Sequence, residues 1–175
     1  MSPLIAQLSK YASYHRDPRN ISTHFVGVPM IVIAVIALLT RPGFELGGVA
    51  LSPAWLALIA ATAFYLRLDL RYGLAMGGLL GLALFLASLT AGLSTAAWLG
   101  LSVGLFVVGW IIQFIGHYFE GRKPAFVDDL IGLLVGPLFV AAEIGFSFGL
   151  RKEVKAEIEQ IAGPTRLRDT AQKSA

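Results

Sequence analysis

The residues of this chain best suited to chemistry are its three histidines, His15, His24 and His117. Neutral imidazole ligates iron, zinc, copper or nickel, whereas magnesium and calcium call for oxygen ligands. The sequence has no cysteine, which excludes thiolate catalysis, disulfides and cysteine-based zinc or iron–sulfur sites. Polar partners accompany the imidazoles. The run QFIGHYFEGRKPA at residues 113–125 holds Gln113, His117, Glu120, Arg122 and Lys123. On a helix His117 and Glu120 share a face, because residues three apart are neighbours there. Glu120 is then either a fourth ligand or the ion-pair partner of Arg122 and Lys123. Asn20 and Gln113 are amides of the kind that orient ligands, and Glu143 either pairs with an arginine or supports a ligand at one remove. There is no His-Glu-x-x-His and no His-x-x-His. Interfacial histidines bonded to backbone or lipid phosphate fit the same spacing, so both readings stand at this level.

The elements that must position these residues belong to a membrane. Hydrophobic residues make up 56% of the chain and charged ones 14%, where a soluble domain is nearer a quarter charged. Mean hydropathy is +0.71. The long apolar runs lie throughout the chain, which predicts an all-α polytopic membrane bundle. A net charge of +3 is read as the usual loop cations of such a protein. No aromatic–basic pattern for nucleic acid and no glycine-rich phosphate loop accompany it. The first 24 residues carry cations and lack a central apolar region of signal-peptide length, so the first apolar run is expected to stay in the mature protein.

Apolar residues at 4, 5, 8, 11, 12 and 14 predict a short amphipathic helix, lying on the interface or against the bundle. Ser22 or Thr23 is expected to cap the next helix. Spans are predicted at 25–40, 52–66, 73–93 and 95–116, with Pro124 stopping the last. Residues 126–150 contain Asp128, Asp129, Pro137 and Glu143, which predicts a bent or re-entrant fifth segment whose start the two aspartates cap. Tyr11, Tyr14 and Tyr118 are expected as interface aromatics. Residues 1–150 thus form one membrane-embedded domain. Residues 151–175 form a charged cytoplasmic tail, partly helical and then disordered over the last dozen residues.

Four crossings return the chain to its starting side, so all three histidines fall at one membrane face. With the N-terminus in the cytoplasm and residues 126–150 turning back, every one of the fourteen cations except Arg41 lies inside. This predicts a histidine site at the cytoplasmic face of, by size, a bacterial inner membrane.

YHRDPRN at 14–20 followed by HFVGVP at 24–29 resembles the N-terminal signature of the Mpo-type 2-hydroxy fatty acid dioxygenases. The 113–125 run resembles the family's second signature, and PLFVAAE at 137–143 its third. The resemblance covers about residues 4–150, with one departure at Asp17, where the family commonly has asparagine. It implies an iron(II)-dependent dioxygenase that uses O2 to shorten 2-hydroxy fatty acids by one carbon. It also implies that His15, His24 and His117 hold Fe2+, and that Arg122, Lys123 and Asn20 are candidates to meet the substrate. Gln113, Glu120 and Glu143 would support the ligands. A transporter, which places ionisable groups near the bilayer midplane, and a non-catalytic lipid-binding protein are the competing classes; iron content separates them from the enzyme.

Overall fold

The computed structural model describes residues 1–41 and 43–168. Its helices are α1 (Pro3–Ala12), α2 (Pro18–Thr40), α3 (Pro53–Leu68), α4 (Leu70–Ser88), α5 (Thr95–Glu120), α6 (Gly132–Ser147) and α7 (Lys152–Ala162). A short hairpin, β1 (Phe44–Leu46) with β2 (Val49–Leu51), and a 3-10 turn at Ala125–Val127 complete the described elements. Helices α2, α4 and α5 are long and apolar enough to cross a membrane, and α6 with α7 passes the same test as a bent pair. Helix α3 is shorter: its 16 residues rise about 24 Å, against a hydrocarbon core of about 30 Å. Large side chains such as Leu56, Leu74, Phe85 and Phe114 are exposed. Apolar surface of that extent is what a membrane bundle offers lipid.

The chain divides into two compact units. The first comprises Met1–Val28 together with the chain from Trp110 onward, and it contains every histidine. Within it, α1 starts at Pro3 with the Ser2 hydroxyl accepting the Ile5 N–H at 3.3 Å. Its buried face is Leu4, Ile5, Leu8, Tyr11 and Ala12, and it packs against α6 and α7. Helix α7 returns Val154 and Ile158, one turn apart, to that contact. The 117° break between α6 and α7 falls at residues 148–151, where Gly149 (φ 74°) and Arg151 (φ 49°) are left-handed. Glycine takes that conformation without a Cβ clash. Pro137, by contrast, lies inside α6 without ending it.

The second unit, Pro29–Gly109, holds the hairpin and the α3–α4 pair. These two helices approach closely at Gly73, where an added Cβ would stand 2.6 Å from the Leu66 Cα. Arg41 bonds to the Thr95 hydroxyl at 3.2 Å and to the Leu93 carbonyl, and its guanidinium lies 4.7 Å from the centre of the Trp98 ring.

Helix boundaries differ from expectation in several places, α4 for one ending at Ser88 and not at 93. Helix α2 begins at Pro18, not at Ser22 or Thr23. Asp17 accepts the Arg19 N–H at 2.9 Å and Pro18 takes the first helical position, so the aspartate and proline together start the helix earlier. The Ser22 and Thr23 hydroxyls turn back instead to the Pro18 and Asn20 carbonyls. Helix α5 runs on through His117 to Glu120, and Gly121 at φ 70° ends it, donating its N–H to the His117 carbonyl. Pro124 lies beyond that stop.

Candidate metal centre

His15 lies in the connection between α1 and α2, His24 in the second turn of α2, and His117 in the last turn of α5. All three are buried. Ring centroids are 4.5 Å apart for His15 and His24, 4.9 Å for His15 and His117, and 5.3 Å for His24 and His117. One ring nitrogen from each lies within 4.8 Å of the others. Helices α2 and α5 come this close because of Gly116. A Cβ there would stand 2.1 Å from the Thr23 hydroxyl and 2.5 Å from Asn20 Oδ1.

The hydrogen bonds fix the tautomers. His15 Nδ1 is 2.8 Å from the Tyr11 carbonyl, and His24 Nδ1 is 2.8 Å from the Asn20 carbonyl. A carbonyl only accepts, so each Nδ1 carries the proton and each Nε2 presents a lone pair. Those two Nε2 atoms face each other at 3.0 Å. Two lone pairs at that separation repel unless a cation or a proton lies between them. Burial and the neighbouring His24 and His117 rings push the His15 imidazole well below its ordinary range, which disfavours the proton. His117 Nδ1 is buried without a hydrogen-bond partner. Backbone-oriented imidazoles with converging lone pairs are the donor set of a metal centre, so the residues present fit a nitrogen-preferring transition metal.

Tyr11, expected at an interface, is instead buried and stacks on His15 at 4.1 Å with the rings 4° from parallel. Phe139 packs against both rings. This wall was missed because Tyr11 reads equally well as a belt aromatic. Its spacing of four residues before His15 was the available signal.

Glu120 lies outside the histidine group that could hold a metal, and its described contacts are with neither Arg122 nor Lys123. Its Oε2 accepts the backbone N–H groups of Arg16 (2.9 Å) and Asp17 (2.8 Å) and the Asn20 amide (3.2 Å). Its Oε1 lies 2.8 Å from Arg168 Nε. The carboxylate thus organises the turn that carries His15, and through Asn20 it also holds the carbonyl that orients His24. Glu143 meets Arg16 at 3.4 Å, the first of the two roles open to it. Gln113, one turn before His117, is buried with neither amide atom bonded. Asn20 Oδ1 is likewise buried and unbonded. Of the cations expected near substrate, Lys123 pairs with Asp128 at 2.6 Å, while Arg122 donates to the Ser13 carbonyl at 2.8 Å. Asp128 also accepts from Tyr14, and Asp129 caps Ile131 while pairing with Lys10, so the aspartates pin neighbouring segments as well as the start of α6.

The tail reaches this site. Arg166 N–H donates to the Arg16 carbonyl, Arg168 N–H to Asp17, and Arg16 to the Gly163 carbonyl. The expectation of disorder in the last dozen residues meets an ordered stretch at 163–168; residues 169–175 lie outside those described. Asp17 is fully buried and takes a bidentate bond from Arg19. The Arg19 guanidinium, with the N–H groups of Arg168 and Arg19, holds its carboxyl down to about 2 against the cost of burial.

Comparison with known proteins places this arrangement. The family described as 2-hydroxy-palmitic acid dioxygenase Mpo1-like matches residues 1–148. The chain is 34% identical over 158 residues to the 2-hydroxy-palmitic acid dioxygenase MPO1 of Saccharomyces cerevisiae, covering 89% of this chain and 87% of the yeast protein. No solved structure matches it. With the family match spanning all three histidines and Glu120, the chain belongs to the Mpo1-like family.

Proposed function

We propose that this protein is an iron(II)-dependent dioxygenase that converts a 2-hydroxy fatty acid and O2 into the fatty acid one carbon shorter. The observation that carries the reading is the meeting of three buried imidazoles, two with their lone pairs opposed at 3.0 Å. The 2-hydroxy acid comes from the name of the yeast relative. If the carboxyl carbon leaves as CO2 and the remaining oxygen as water, O2 accepts all four electrons and no second reductant is required.

His15, His24 and His117 would hold the iron, which supplies one-electron chemistry toward O2 and coordination positions beyond its three protein ligands. The chain's own groups do the rest. The Tyr11 and Asn20 carbonyls keep the His15 and His24 nitrogens turned inward. Glu120 fixes the loop that carries His15. Tyr11 and Phe139 wall the rings from water, which protects reactive species from side reactions. The unbonded Gln113 amide and the unbonded Asn20 Oδ1 offer a donor and acceptors for a bound hydroxyl or carboxyl group. The site would lie at one membrane face, open to an acid whose acyl chain stays in lipid; a cytoplasmic face of a bacterial inner membrane is the orientation we favour.

The test is iron analysis of anaerobically purified protein together with oxygen uptake on 2-hydroxypalmitate. One iron per chain and substrate-dependent uptake are expected. Iron-free protein that consumes no oxygen after reconstitution overturns the proposal and leaves a lipid-binding protein.

A further inference from the structure

Beside the histidine loop lies a cavity of about 360 Å³ whose wall includes Arg16, Arg122, Arg166 and Arg168, with Ile161 and Pro164 as apolar neighbours. Its charge is unbalanced. Arg16 is offset by Glu143 and Arg168 by Glu120. Among the described residues, neither Arg122 nor Arg166 meets a carboxylate, and no acidic side chain lines the cavity. Unpaired guanidinium groups around a concave site attract anions, and they match a carboxylate in two-pronged geometry. A water takes about 30 Å³, so the space admits a carboxylate with several methylenes. Half of the cationic wall comes from residues 163–168, beyond the 1–148 region matched by the family. Backbone bonds from Arg166 to Arg16 and from Arg168 to Asp17 hold that half in place.

We infer that this cavity is a binding site for the carboxylate of a long-chain fatty acid, with Arg122 and Arg166 as its free cations and the C-terminal tail as its outer wall. The choice of a fatty acid rests on the dioxygenase reading. The anion preference rests on the arginines alone. Arg16 links the two places, since it lines the cavity and directly follows His15.

The experiment separates the two claims by using metal-free protein in neutral detergent and a ligand without a 2-hydroxyl group. Equilibrium binding of palmitate is compared with that of 1,2-hexadecanediol, which has a similar chain and no charge, and with inorganic phosphate. Arg166→Gln and Arg122→Gln should each weaken palmitate binding by about ten- to hundredfold, the usual weight of a charge-assisted bond. Binding of the diol should not change, and the exposed position of Arg166 keeps folding out of the comparison. Palmitate binding that neither substitution alters overturns the inference. So does equal loss of palmitate and diol, or binding of phosphate without palmitate. Arginine-dependent palmitate binding by a protein that never takes up iron supports this site and removes the dioxygenase reading instead.

Discussion

Nε2 of His15 and Nε2 of His24 lie 3.0 Å apart, and each ring donates its other nitrogen to a backbone carbonyl four residues earlier. The carbonyl bonds force both lone pairs inward. The protein therefore folds around an electrostatic conflict that a cation relieves, and several measurements follow from it.

Removing any one imidazole should release the metal. His15→Ala, His24→Ala and His117→Ala should each lower iron affinity by more than the roughly 10–100-fold typical of losing an outer partner, and abolish oxygen uptake. Circular dichroism should remain helical. Iron content at the parent level in any of the three would remove that histidine from the ligand set.

Glu120 should matter for stability before chemistry. Glu120→Ala strands the N–H groups of Arg16 and Asp17 and leaves Arg168 without its carboxylate. Breaking a buried charged partner costs about 3–5 kcal/mol. Glu120→Gln, which retains an acceptor oxygen, should cost less. Denaturant titration in detergent gives the comparison, and equal stability of both variants with the parent contradicts the network described above.

Gly116→Ala tests the close approach of α2 and α5. Its Cβ would collide with Thr23 and Asn20, an overpacking cost of about 1–3 kcal/mol, and the shift should also lower iron content. Gly104→Ala is the control: no heavy atom lies within 4 Å of the added Cβ, and the helix gains up to about 1 kcal/mol in propensity. Thermal midpoints should move in opposite directions.

Acid should loosen the tail. The carboxyl of Asp17 is held at about 2, below its ordinary 3.8, so the folded form binds its proton later than the unfolded form. The stabilisation is fully present above about pH 4 and is lost as pH falls toward about 2. Hydrogen exchange at the Arg168 amide, which donates to Asp17, should accelerate in that window. Protection that stays constant down to pH 2 would falsify this linkage.

The membrane class, the amphipathic α1 and the gathering of the histidines were legible in the residues themselves. Hydropathy reports the solvent, periodicity reports a helix face, and reading the four apolar runs between His24 and His117 as crossings puts the histidines on one side. The Glu143–Arg16 pair was also within reach, because a carboxylate buried in an apolar segment needs a cation. The sequence could not decide what Glu120 does, since nearby Arg122 and Lys123 looked like sufficient partners. Its actual partners are backbone N–H groups about a hundred residues away, and every residue except proline carries such a group, so no side-chain pattern marks them. The same holds for the ordered stretch at 163–168 and the arginine cavity. Both depend on where α7 points after its 117° break. The residue types limited the site to nitrogen-ligand metal chemistry or a histidine interface. Packing buries the three imidazoles together, with one ring nitrogen of each within 4.8 Å of the others, an arrangement that could hold a metal.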